Sequence, residues 1–335
     1  MPGASGTQAA GIFAGSAVNR IKPELFNNYT MPDRLFTTES KIEILEKNVP
    51  IALAFMEECT VCPRKCLANR IAGDVGECNI PAQLKISSAN LHFGEEPPIS
   101  GTNGSGTIFL SGCNLHCVYC QNYPISQYHN GEYYSTSKVA AMMIALEKRG
   151  AHNINFVTPS HNVPLLMKAM LEAYKSGLTV PIIHNSSGYD SIEMLKLLDG
   201  VIDIYMPDMR YADSKHSKSF SDVADYPEIN RAVIKEMHRQ VGILQVVDGV
   251  AVKGLLIRHL VLPGDISGSK VIFDFIANEI SKDTYVAVMS QYFPAYNACT
   301  HSVLSRRLSQ PEYESALADF ESSGLANGYI QPYFV

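Results

Sequence analysis

The sequence predicts an α/β protein, a parallel sheet curled into a partial (β/α)6 barrel behind an N-terminal cysteine-rich, metal-binding cap. Three observations carry that expectation. From residue 106 onward, short β-branched runs alternate with longer stretches whose apolar residues recur at three-and-four spacing. Six strand-like runs separated by helical ones call for right-handed crossovers and hence parallel pairing. Finally, seven of the 8 cysteines fall between residues 59 and 120 of a long chain, which reads as metal ligation in a reducing compartment rather than as a disulfide framework.

In chain order the strands are expected at 107–111, 154–158, 181–185, 201–206, 255–262 and 284–290, and the helices at 135–149, 164–175, 191–198, 227–239 and 269–279. Ser135, Asn162, Ser191 and Ser269 stand at N-cap positions, Pro164 suits a first turn, and Gly150, Gly177 and Gly200 fall where the chain leaves a helix. Asp248-Gly249, between 243–247 and 250–253, is a two-residue hairpin signal that places a small hairpin before the fifth core strand. Residues 1–50 have no clear period and read as an arm, 51–100 as the cap, 101–295 as the barrel, and 296–335 as a C-terminal extension with one more helical pattern at 311–321.

With 335 residues, 46% hydrophobic and 18% charged, the chain has the balance of an ordinary globular protein. A net charge of -6 gives no electrostatic reason to expect a nucleic-acid partner. No apolar run approaches the roughly 18 residues of a membrane span. Residues 9–18 are mildly apolar but no Lys or Arg precedes them, which argues against a secretory signal and leaves the cytoplasm as the expected compartment.

The chemistry concentrates in Gly112-Cys-Asn-Leu-His-Cys-Val-Tyr-Cys-Gln-Asn122, directly after the first barrel strand. Cys113, Cys117 and Cys120, spaced C-x3-C-x2-C, fit three corners of a cubane 4Fe-4S cluster. One iron then has no protein ligand, and an open position is where a metal site does chemistry. A zinc knuckle would need a fourth ligand at fixed spacing, and none follows Cys120. This motif resembles that of the radical S-adenosylmethionine (radical SAM) superfamily, and its flanking Gly112 and Gln121-Asn122 are most similar to the branch related to pyruvate formate-lyase activating enzyme.

The resemblance implies a radical SAM barrel and the cofactors 4Fe-4S and S-adenosyl-L-methionine. It also implies a flavodoxin- or ferredoxin-like reductant, and an oxidoreductase-type reaction that cleaves SAM reductively and abstracts a hydrogen atom. The substrate so implied is a protein or peptide, as in glycyl-radical activation. A small metabolite or RNA base, or a non-catalytic iron-sulfur protein, stand as alternatives. In such barrels the cofactor is held at the C-terminal ends of the strands. At the end of the second strand, Thr158-Pro-Ser-His161 stands where the family's Gly-Gly-Glu-like turn is lacking, and Ser160 and His161 are offered as substitutes. After the third strand, Asn185 and Ser187 in a dense polar turn resemble the ribose-contacting segment, and Asp208 follows the fourth strand near the mouth with Asp203 upstream. On the fifth strand, Arg258-His-Leu-Val-Leu-Pro-Gly264 resembles a run of the activating-enzyme branch, with His259 the expected SAM contact and Arg258 assigned to the helix-facing side.

Cys59, Cys62, Cys66 and Cys78 form C-x2-C-x3-C-x11-C upstream of the barrel. Four thiolates can enclose a zinc or a second iron-sulfur cluster, and both take four Cys. In the activating enzymes extra clusters follow the radical SAM motif, whereas this group precedes it. Cys299, far from the others in sequence, reads as a buried inert thiol, and Tyr292 and Phe293 as packing residues.

Overall fold

The computed structural model describes residues 37–333, so the expectations for residues 1–36 lie outside the described residues. The strands are β1 (Leu84–His92), β2 (Ser105–Leu110), β3 (Glu132–Tyr134), β4 (Ile154–Val157), β5 (Ile182–Ser186), β6 (Ile204–Pro207), β7 (Gln245–Val247), β8 (Val250–Leu260), β9 (Tyr285–Met289) and β10 (Gly328–Ile330). The helices are α1 (Thr38–Ala54), α2 (Pro97–Ser100), α3 (Tyr123–Ser126), α4 (Thr136–Lys148), α5 (Val163–Lys175), α6 (Ile192–Leu197), α7 (Ser214–Ser221), α8 (Tyr226–Val241), α9 (Ser269–Phe275) and α10 (Gln310–Ser322). The strands join one sheet in the order β10-β9-β8-β6-β5-β4-β2-β1-β3, with β7 paired to β8 alone. The six expected core strands are β2, β4, β5, β6, β8 and β9, all parallel.

Period-two alternation sorts each strand into an inner and an outer face. Ile154, Phe156, Ile182, Tyr205, Leu255, Ile257, Val286 and Val288 pack outward into the layer formed with the helices. Ile183, Ile204, Met206, Leu256 and Ala287 pack inward on Ile99 of α2, which closes the floor. By the same parity Asn155, Asn185, Asp208 and Arg258 face inward, and His259 faces the helices.

Several expectations need correction. Residues 38–54, read as part of an arm, form α1, capped by Thr37 and tied to the sheet by a buried pair in which Lys41 Nζ lies 2.6 Å from Asp203. Asp203, also the acceptor of the Ile182 amide, therefore stands at the start of β6 and not at the mouth. The barrel sheet extends beyond 101–295, because β1 and β3 add antiparallel strands to one edge and β10 adds a parallel one to the other. The hairpin forms with Asp248 and Gly249 at positive φ, but its second strand continues into the core strand as β8. Asn162 precedes α5 without capping it; its side chain accepts from Arg70 instead. Gly268, not Ser269, precedes α9. Cys299 is exposed rather than buried.

Candidate functional site

Gly112 follows β2 with φ +81, a left-handed turn that swings the cysteine loop across the mouth of the barrel. Each thiol there meets a polar group. The Leu115 amide donates to Cys113 Sγ at 3.3 Å, Ser126 Oγ lies 3.1 Å from Cys120 Sγ, and Cys117 Sγ accepts from Ser221 Oγ at 2.9 Å and Arg210 Nη1 at 3.3 Å. Burial, reinforced by the other thiols of the loop, pushes Cys113 up to about 12. Cys117 is buried and Cys113 and Cys120 are half-buried, and a polar group stands at each sulfur, which suits thiolates whose charge a metal offsets. Among the described residues no three His, Cys, Asp or Glu side chains close around a point as ligands of one ion would.

The inner face beside this loop is polar. Asn185 makes no side-chain hydrogen bond among the described residues, and Ser187 Oγ is buried without a partner. Asp208 pairs with Arg210 at 2.6 Å and lies 3.9 Å from Arg258. Burial acts to lower the Arg258 guanidinium, but Glu96, Glu95 and Asp208 outweigh it and hold the group above its ordinary value.

Two expected cofactor contacts lie elsewhere. His259 is fully buried on the outer face, with Nδ1 2.9 Å from the Met209 carbonyl, Nε2 3.0 Å from Ser269 Oγ and its ring edge-on to Phe273 of α9. Its neighbour Arg258 takes the inner face that His259 was expected to occupy. Ser160 hydrogen-bonds Asp190, whose carboxylate also takes His184 Nε2 at 2.9 Å and Ser186 Oγ. That buried network has used the Ser160 hydroxyl. His161 reaches the Ser111 carbonyl at 3.0 Å, so it braces the cluster strand rather than facing the chamber. Thr158, at the end of β4, adopts φ +61. Sequence reasoning missed Glu95, Glu96 and Arg210. The signals were there: two acids set before Pro97-Pro98, and a cation two residues beyond Asp208.

The four upstream cysteines converge as well. Burial pushes Cys62 up to about 12, with Cys78, Cys59 and Cys66 adding to the rise, and none is in a disulfide. The Arg70 guanidinium lies 4.0 Å from Cys59 Sγ and bridges to the His161 carbonyl at 2.6 Å. Arg64 Nε donates to the Asn114 carbonyl at 2.8 Å, which ties this segment to the loop of Cys113.

Residues 107–250, which include Cys113, Cys117 and Cys120, match the family described as the Radical SAM superfamily. An uncharacterized protein of Methanocaldococcus jannaschii is 31% identical over 306 residues, covering 89% of this chain and 83% of its own length. Among solved structures, SuiB of Streptococcus suis bound to S-adenosylmethionine is 10% identical with a TM-score of 0.43, over 65% of this chain and 47% of that one. The FeFe-hydrogenase maturase HydG from Carboxydothermus hydrogenoformans is 14% identical with a TM-score of 0.45, over 88% and 70%. The chain thus spans about half of SuiB's length. No helix among the described residues is long and apolar enough to cross a membrane.

Proposed function

The chain belongs to the radical SAM superfamily, and from that membership we propose that Cys113, Cys117 and Cys120 hold a 4Fe-4S cluster with which it cleaves SAM and abstracts a hydrogen atom from a protein or peptide. The observation that carries this reading is the loop after β2 in which donors meet the sulfurs of Cys113 and Cys117 and the Ser126 hydroxyl lies against Cys120, at the mouth of a parallel sheet. When bound, the cluster supplies an open iron and one electron to SAM, which then yields methionine and a 5′-deoxyadenosyl radical.

The chain's own residues bind and orient. Arg210 places positive charge beside Cys117, and its pairing with Asp208 fixes the guanidinium. Asn185 and the unpartnered Ser187 hydroxyl are positioned to take the ribose hydroxyls of SAM, since a buried hydroxyl without a partner costs about 1 to 3 kcal/mol until something pairs with it. The apolar floor around Ile99 keeps water from below. A flavodoxin- or ferredoxin-like protein is the proposed reductant. Cys59, Cys62, Cys66 and Cys78 are proposed to hold a second metal centre, a zinc or a second iron-sulfur cluster, since four thiolates suit either.

The test is anaerobic reconstitution with iron and sulfide, reduction with dithionite and addition of SAM. Release of 5′-deoxyadenosine and methionine is expected, and Cys113→Ala, Cys117→Ala and Cys120→Ala should each abolish it. Wild-type turnover in any of the three would overturn the ligand assignment. A glycyl-radical signal in the electron paramagnetic resonance spectrum of an added peptide would support the activase-like substrate.

A further inference from the structure

We infer that the inner face of the barrel below Asp208 is a subsite for an ammonium group, presented by the substrate as a lysine-like primary amine. This deepens the reading above and rests on the barrel being a substrate chamber. Glu95 and Glu96 enter the interior between β1 and α2, with side chains only 7% and 8% exposed. Arg258 is the cation they share among the described residues, with Nη1 3.7 Å from Glu95 and Nε 3.1 Å from Glu96. The third carboxylate, Asp208, is already matched by Arg210. Two buried carboxylates therefore divide one guanidinium, and the chamber is short of one positive charge.

An independent observation points the same way. Asn155 is fully buried on the inner face; its amide nitrogen donates to Glu95 at 3.2 Å, while its Oδ1 has no partner. Glu96 Oε2 is likewise buried and unpartnered. Arg258 Nε, though close to Glu96, is misaligned for a hydrogen bond and does not relieve it. The unmet atoms on the carboxylate and amide are acceptors. An ammonium brings three N–H donors, one positive charge and no acceptor, which is the complement of that deficit. A carboxylate or phosphate would add the wrong sign.

SAM carries an ammonium too, but depth separates the two sources. Asn155 lies two residues before Val157, the last of β4, or about 7 Å below the strand end at ~3.3 Å per residue. The methionine end of SAM has to stay near the cluster loop above the strands.

The probe is n-butylammonium, with n-butanol as its neutral isostere. Each is titrated by calorimetry into anaerobic, cluster-loaded protein holding SAM. The amine should bind saturably and at least ~tenfold more tightly than the alcohol, and Glu96→Gln should weaken it at least ~tenfold. Asn155→Leu is the second variant, should Glu96→Gln fail to fold. Equal affinity for amine and alcohol, or amine binding untouched by either substitution, overturns the inference. So does a Glu96→Gln protein that binds the amine normally but has lost affinity for SAM, since the site would then serve SAM's own amino group. Absent SAM cleavage in the wild type would instead sink the radical reading, a failure distinct from amine-blind protein that cleaves SAM.

Discussion

Arg210 donates from Nη1 to Cys117 Sγ at 3.3 Å, so one guanidinium joins a cluster-loop sulfur to the Asp208 carboxylate held by its Nη2. Positive charge and hydrogen bonds at a ligating sulfur raise a cluster's reduction potential. Arg210→Met should therefore lower the potential measured by redox titration and slow dithionite-driven SAM cleavage. It also strips Asp208 of its nearest cation, at a stability cost of about 1 to 3 kcal/mol. An unchanged potential would mean that the contact is only structural.

Thr158 is a β-branched residue held at φ +61, where its amide donates to the Asn185 carbonyl at 2.9 Å. Left-handed backbone costs L-residues roughly 1 to 2 kcal/mol, and β-branching makes it worse. Thr158→Gly relieves that strain, partly offset by the extra freedom glycine has in the unfolded chain. A net gain of about 0.5 to 1 kcal/mol in denaturant unfolding is expected. Loss of stability would show that the Thr158 side chain contributes more than its backbone costs.

The parallel strands and their crossovers were legible because buried β-branched runs and helical periods are local signals, and the proposed assignment of Cys113, Cys117 and Cys120 rests on their spacing and on the family match over 107–250. The faces of β8 were not legible. Arg258 and His259 are adjacent and both polar, and only the outward packing of Leu255 and Ile257 against the helices decides which of them enters the chamber. The helix α1 was hidden by Pro50 inside it and a weak apolar period, since its place is fixed by the long-range pair of Lys41 with Asp203. The acid pair Glu95-Glu96 before Pro97-Pro98 is visible in the sequence, but its meeting with Arg258 is not, because that contact forms only when α2 folds into the floor.

Two buried groups should give stability opposite dependences on pH. Burial holds His259 neutral, down from 6.5 to about 4 despite the Met209 carbonyl, so its contribution is present above pH 6.5 and is lost as pH falls through about 4. Burial raises Glu95 from 4.5 to about 7, so its contribution is full below pH 4.5 and is lost as pH rises through about 7. Each slope is at most ~1.4 kcal/mol per pH unit. The two windows overlap between pH 4.5 and 6.5, where the slopes oppose, so in urea unfolding from pH 4 to 8 Glu95→Gln should unmask a rise of stability with pH and His259→Gln a fall. Slopes that these substitutions leave unchanged would assign the dependence to other groups.

Gly112 joins the two cysteine groups by contact. A Cβ built there would meet the Cys78 carbonyl oxygen at 2.6 Å and Ile80 Cγ1 at 2.6 Å, in addition to the strain of φ +81. Gly177 supplies the control, with φ +93 and nothing within 4 Å of a built Cβ. Gly177→Ala should therefore cost only the backbone term, roughly 1 to 2 kcal/mol. Gly112→Ala adds a clash with backbone, which cannot swing aside, worth a further ~1 to 3 kcal/mol. The added cost should appear locally, as faster proteolysis within residues 55–83 and as altered spectra of the proposed metal centres after reconstitution, while the helices at the far side of the barrel keep their protection from hydrogen exchange. Equal costs for the two substitutions would mean that the upstream cysteine segment does not press on the cluster loop in solution.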